Sequence, residues 1–324
     1  MKDLFKVFGV SLIVTVFASC SGNELPNEET SQTTSTEQKG NLRVTFDPFD
    51  NEGVGTRALR NGNFGQLTFE EGDVVNVYNE TLRYYDFYTF KNDGFYFDTE
   101  LSGDAMPWVE EPKFAILRGA TDQNVKGYID RASRTPRVDI KIPHTFIFDA
   151  SSRVVNFDGN NGIGYACDLP MFGYANYSSK GDYIEISNLR YLTGILRIGL
   201  EGIDGNARYL KLSNTAGRPL SGTLTAQLYT DPAQRKNTKL EVLDEDLTVY
   251  PELYIDLRSL PSGTSCIYIP VVSGISGNAD GVCLEFSADM THDSATEASG
   301  WQLVPDVNFA GMVFAQHCRY TVNN

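Results

Sequence analysis

The sequence predicts an all-β protein made of two antiparallel β-sandwich domains. Three observations carry this prediction. From Asn41 onward, apolar and polar residues alternate with period two almost throughout. The alternating runs are separated by Gly, Asn, Asp and Pro, the residues that make turns. A Gly- and Asn-rich passage over residues 156–179 interrupts the pattern near the middle, and strands resume after it.

The amino terminus reads as an export signal. Lys2 and Lys6 precede an apolar run from Val7 to Ala18, too short for a spanning helix, which needs ~20 residues. Phe17-Ala18-Ser19-Cys20 resembles a lipoprotein box, in which Cys20 becomes the acylated first residue of the mature chain and its link to the outer membrane. An ordinary signal cut near Ala18 is the alternative. Residues 21–40 hold almost nothing that can be buried and are rich in Ser, Thr, Glu and Gln, the composition of a disordered tether.

The first domain spans residues 41–180. It opens with a strand at 41–47 whose Leu42, Val44 and Phe46 share one face, and a flexible linker with Gly55-Thr56-Arg57-Ala58 follows. Further strands are expected at 66–69, 73–78, 82–90, 94–98, 113–117, 137–142 and 145–149. Residues 119–135 are the one place where a short helix or irregular excursion is expected. The second domain spans residues 181–324, with strands at 182–187, 189–200, 208–213, 220–226, 239–243, 252–257, 265–272, 281–287 and 301–304. A last strand runs from Met312 to Val322, with Met312, Phe314, Cys318, Tyr320 and Val322 on one face. The halves share no fixed repeat, so a propeller or solenoid is not expected.

At 324 residues, with 41% hydrophobic and 12% aromatic content, the chain has material for two packed cores. A formal charge of −15 argues against nucleic acid and anionic lipid as partners. His144, His292 and His317 stand in no nucleophile or metal motif, and His317 reads as a surface imidazole. Glu70-Glu71-Gly72-Asp73 reads as a solvated turn rather than a catalytic carboxylate pair. Asp47, Asp50, Asn51 and Glu52, and likewise Asp158, Asn160 and Asn161, match no EF-hand loop, so no metal is assigned. No catalytic residue, enzyme activity or cofactor is expected. Beyond Cys20, the spacings of Cys167, Cys266, Cys283 and Cys318 fit neither a metal knuckle nor a redox pair. Buried thiols are expected, with a Cys266–Cys283 disulfide left open. The aromatic run from Tyr84 to Phe97 fits a core with cross-strand pairs. It also fits a surface that stacks on sugar rings, which makes a monomeric glycan-binding surface lipoprotein the second functional reading.

Several phrases together resemble the fimbrillin family, the lipoprotein pilins of certain Gram-negative gut and oral anaerobes. They are the leader ending at Cys20, the first strand followed by Gly55-Thr56-Arg57-Ala58, and Phe69-Glu70-Glu71-Gly72-Asp73-Val74-Val75-Asn76-Val77-Tyr78. Leu169-Pro170-Met171-Phe172-Gly173, Leu189 to Ile198, Tyr268-Ile269-Pro270-Val271-Val272 and Phe309-Ala310-Gly311-Met312 follow in order. The resemblance implies two transthyretin-like β-sandwich domains with Greek-key connections, in a fimbrial subunit on the cell surface. It also implies that a protease cuts after Arg57, so that the mature chain begins at Ala58. The strand of Leu42, Val44 and Phe46 then leaves, and a strand from another subunit fills the groove. Expected partners are other fimbrial subunits, the outer membrane through acylated Cys20, and a host glycan or protein receptor. The chain ends directly after the Met312–Val322 strand, so onward donation would require that strand itself to swing out. Otherwise the subunit accepts a strand without passing one on, as a tip, an anchor or an accessory.

Overall fold

Alternation fixes the first strands. The computed structural model describes residues 39–40, 42–46, 71–79, 84–102, 112–118, 125–129, 135–148, 152–155, 164–166, 171–178, 183–229, 231, 234, 238, 240–242 and 248–322. β1 (Lys39–Gly40) and β2 (Leu42–Phe46) precede β3 (Val74–Asn79), β4 (Tyr84–Lys91) and β5 (Gly94–Phe97). The turn from β4 to β5 places Asn92 at φ 57, a left-handed conformation that Asn tolerates better than most residues. After β5 comes a single helical turn, α1 (Thr99–Ser102), whose first N–H groups donate to the Asp98 carboxylate.

Next come β6 (Pro112–Arg118), β7 (Val125–Ile129), β8 (Pro136–Ile142), β9 (Thr145–Ile147), β10 (Arg153–Val155), β11 (Gly164–Ala166), β12 (Met171–Tyr177) and β13 (Ile184–Tyr191). β7 corrects one expectation: within the 119–135 excursion, Val125–Ile129 is a strand paired antiparallel with β8. Gly127 and the polar residues around it hide its period. The remaining strands are β14 (Gly194–Gly199), β15 (Tyr209–Asn214), β16 (Ser221–Gln227), β17 (Leu240–Glu241), β18 (Val249–Tyr250), β19 (Glu252–Asp256), β20 (Cys266–Val271), β21 (Val282–Ser287), β22 (Gln302–Leu303) and β23 (Arg319–Val322). The last strand is thus shorter than expected. Residues 312–318 are irregular apart from a bridge between Val313 and Ser276.

The fold is all-β, and three of its four sheets are mixed rather than purely antiparallel. Eight strands form one sheet in the order β1-β5-β2-β13-β12-β6-β3-β4, and β4 also pairs with β5. That second pairing closes the sheet into a barrel-like ring. Three further sheets run β10-β11-β20-β14-β23, β22-β21-β15-β19-β9 and β17-β16-β8-β7, with β18 beside β16. Among the described residues five pairings are parallel: β1 with β5, β11 with β20, β13 with β2, β14 with β23, and β19 with β9. Pairing also runs across residue 180, where the sequence places a domain boundary. β13 pairs with β12 and β2 on one side, and β8 pairs with β16 on the other.

Two large cores follow from this arrangement. One fills the ring with Leu42, Val44, Val75, Val77, Tyr88, Phe95, Ile184, Ile186 and their neighbours. The other lies under the remaining sheets and gathers Ile140, Phe146, Leu196, Leu212, Leu224, Ile255, Ile269, Phe314 and Tyr320, among others.

Candidate functional site

The candidate site is the seat of β2. On one side β2 runs parallel to β13, with Leu42 opposite Ile184, Arg43 opposite Glu185, Val44 opposite Ile186 and Phe46 opposite Leu189. On the other side its antiparallel contact with β5 is, among the described residues, a single pair, Leu42 opposite Phe95. The strand is therefore held by one good ladder, one minimal ladder and its side chains. Leu42 is 0% exposed and Val44 5% exposed, both in the ring core. Arg43 faces outward, with its guanidinium 3.8 Å from the centroid of the Tyr183 ring.

Energetics make this seat a natural gap. Burying a Leu or Val side chain is worth ~1.5–3 kcal/mol, so Leu42 and Val44 together account for roughly 3–6 kcal/mol. A domain's whole stability is about 5–15 kcal/mol. With β2 gone, β13 and β5 would each present an unpaired edge beside an apolar trough, the combination that added strands satisfy. The chain leaves β2 into residues 47–70, which contain Arg57 and Ala58. Those two residues and Cys20 lie outside the described residues.

The last segment is seated differently. Met312, Phe314, Cys318, Tyr320 and Val322 are all buried, as their shared face predicts. They are also pinned from several directions: Phe314 N donates to Ile275 O at 2.9 Å, and its own carbonyl accepts from Gly274 N at 2.7 Å. The Tyr320 hydroxyl donates to Val313 O at 2.7 Å and accepts from Ala315 N at 2.8 Å. Burial pushes this phenol well above its ordinary value. His317 is a correction. Its ring is buried rather than exposed, its φ is 55, and its Nδ1 accepts from Tyr191 N at 3.1 Å. Strand phase misplaced it because residue 317 is in a turn before β23.

The other singled-out residues divide. Glu71 is exposed, and Gly72 at φ 90 makes the expected turn, whereas Asp73 is fully buried. In the aromatic run Tyr85, Tyr88 and Phe95 are buried, and Phe87, Phe90 and Phe97 pack against the two cores. Cys266, Cys283 and Cys318 are in no disulfide, with Cys283 Sγ 3.2 Å from Ser213 Oγ. Among the described residues no group of three or more His, Cys, Asp or Glu is placed to hold a metal, and no helix is long and apolar enough to cross a membrane.

Sequence reasoning missed several features of the ring: β12, which falls inside the 156–179 passage, β1 at the end of the expected tether, the parallel pairing of β2 with β13, and Asp86. Asp86 is 0% exposed and lies opposite Val77 on the strand face it shares with Tyr88. Burial raises its carboxyl to about 6, with the Asn79 side chain opposing the shift. The odd phase of Asp86 among the aromatic residues of β4 was the available signal.

No family model matches the chain, and comparison with curated proteins finds no match. Among solved structures, a Bacteroides ovatus ATCC 8483 protein described as a candidate cell adhesion protein matches 86% of this chain and 95% of its own. The two are 11% identical with a TM-score of 0.37, a likeness too slight to carry an argument.

Proposed function

We propose that the chain is a structural or accessory subunit of a cell-surface fimbria, exported as a lipoprotein and assembled by strand exchange. In this reading Cys20 carries the lipid that holds the precursor at the outer membrane, and the tether that follows it extends the fold from there as far as β1, where the expected tether's last two residues are a strand instead. An Arg-specific protease cuts after Arg57, β2 leaves the ring, and a strand from another subunit takes its place between β13 and β5. The polymer supports adhesion, and the subunit itself catalyses nothing. Its two halves are read as transthyretin-like sandwiches.

One observation carries this reading: β2 closes the ring with buried Leu42 and Val44 but, among the described residues, has one paired residue on its β5 side. It is also the strand directly before the Arg57 linker, so one cut detaches it from everything that follows. The resemblance to fimbrillins supplies the processing step, and the geometry supplies a reason for polymerisation. The pinning of Phe314 and Tyr320 favours the role of strand acceptor, because release of the last segment would break a hydrogen-bonded core network.

The test is the mature amino terminus. Protein extracted from the cell surface should begin at Ala58. A population beginning only at acylated Cys20 contradicts the processing step.

A further inference from the structure

The outer face of the β22-β21-β15-β19-β9 sheet carries an arrangement that the proposed assembly does not use. Register places Thr145, Tyr254, Lys211, Glu285 and Leu303 in one row across all five strands. Their neighbours Phe146, Ile255, Leu212 and Leu284 point the other way, into the core. The row therefore lies on the outer face by strand geometry, where Lys211 and Glu285 keep side-chain exposures of 17% and 19% and one side of Tyr254 and Trp301 packs on Tyr209, Ala295 and Ala298. Four inter-strand steps of ~4.8 Å give it a length of about 19 Å.

Aromatic rings line this face and are held in place. The Trp301 indole N–H donates to Ala298 O at 2.9 Å, which fixes the ring plane. Tyr254 lies 5.8 Å from Trp301 and 5.1 Å from the His144 ring, and His144 in turn stacks on Tyr250 at 3.9 Å. Each of the four is half-buried. Charged groups sit among the rings: Lys211 Nζ is 2.7 Å from Glu285 Oε2 and 4.7 Å from the Trp301 ring centroid. Glu252 lies 3.9 Å from His144 Nε2.

We infer that this face binds a neutral polysaccharide chain at the cell surface. A sugar ring has one C–H face and a rim of hydroxyls, so it needs an apolar plate next to hydrogen-bonding groups. Trp301 and Tyr254 are the plates. Lys211 donates to hydroxyls, and Glu285 and Glu252 accept from them. Because the rings are already fixed, binding orders few side chains. A protein partner would favour a continuous apolar centre with charges at the rim, whereas here an ion pair stands in the middle of the row. The net charge of −15 disfavours acidic polymers, so the occupant is neutral. A row of about 19 Å, with Ile147 and Leu303 exposed at its edges, suits an extended chain rather than one sugar. The inference goes beyond the assembly reading and does not depend on it.

Affinity electrophoresis of the full-length protein tests the inference, using gels containing mannan, xylan, galactan or a β-glucan, and polygalacturonate as the acidic control. At least one neutral polymer should retard the protein, and polygalacturonate should not. Trp301→Ala and Tyr254→Ala should each weaken that retardation about tenfold, while Trp301→Phe largely restores it. Arg57→Ala should leave it unchanged, which separates this result from failure of the assembly reading. Thermal melts identify variants that are still folded, and Glu285→Gln provides a second, less disruptive change expected to weaken binding. No retardation by any neutral polymer overturns the inference, as does retardation that persists in a folded Trp301→Ala/Tyr254→Ala variant. Self-association abolished by Trp301→Ala would overturn it too, because the face would then belong to a second copy.

Discussion

Single residues decide how well the ring holds together. Asp86 is the clearest case, a carboxyl buried on the face of Tyr88 and raised from 3.8 to about 6. The folded state therefore binds its proton more tightly than the unfolded state does. Any stabilisation from the protonated form is complete below the unfolded value and is lost as pH rises through about 6. A shift of this size corresponds to about 3 kcal/mol at ~1.4 kcal/mol per pH unit. Asp86→Asn should raise stability at pH 7 by about 2–3 kcal/mol and flatten the dependence between pH 4 and 6. Urea melts across that range measure it, and an unchanged pH profile would show that burial does not strain this carboxyl. Gly194 is the opposite case. A Cβ there would lie 2.7 Å from Ala315 O and 3.0 Å from a Val271 methyl, so the turn before β23 would have to retreat. Gly194→Ala should cost about 1–3 kcal/mol in the same assay, the usual range for overpacking.

At the scale of the element, β2 and the last segment make contrasting predictions. Leu42→Ala removes a fully buried side chain from the ring and should cost about 2–5 kcal/mol by chemical denaturation. Arg43→Ala, on the outer face of the same strand, should cost less than about 1 kcal/mol. Equal losses at the two positions would mean that β2 is not seated by its inner face. The inner face itself was legible in the sequence, because Leu42 and Val44 alternate with Arg43 and period two reports which side is wet. The same rule located β8, β15, β16 and β21 to within a residue or so. Alternation carries no information about which strand lies alongside. The parallel pairing of β2 with β13 joins residues far apart in the chain, and nothing local to either strand encodes it. β7 was missed because Gly127 breaks its run of side chains. The extent of the last strand was overestimated because buried residues 312–318 mimic a strand face while being held by turn hydrogen bonds. His317 was misplaced for the same reason. The aromatic row around Tyr254 and Trp301 escaped notice because its members lie on separate strands and loops.

At the scale of the whole molecule, a closed ring, a strand whose inner face helps fill it, and the Arg57 segment that follows that strand in sequence belong together. Pairing across residue 180 matters to the outcome. β13 follows the Gly-rich middle passage in sequence, yet it forms one wall of the seat that β2 occupies. Loss of β2 would therefore expose an edge in the first sheet without unpairing β13 from β12. The opened molecule should persist as a folded acceptor rather than collapse, and its gap is best filled by a strand from another copy. The most direct measurement is the mass of the purified protein in solution, by light scattering, before and after an Arg-specific protease. The account predicts a monomer beforehand and heat-resistant oligomers once the chain is cut after Arg57, with Arg57→Ala remaining monomeric. A chain cut at Arg57 that stays monomeric and keeps residues 39–46 bound would contradict it.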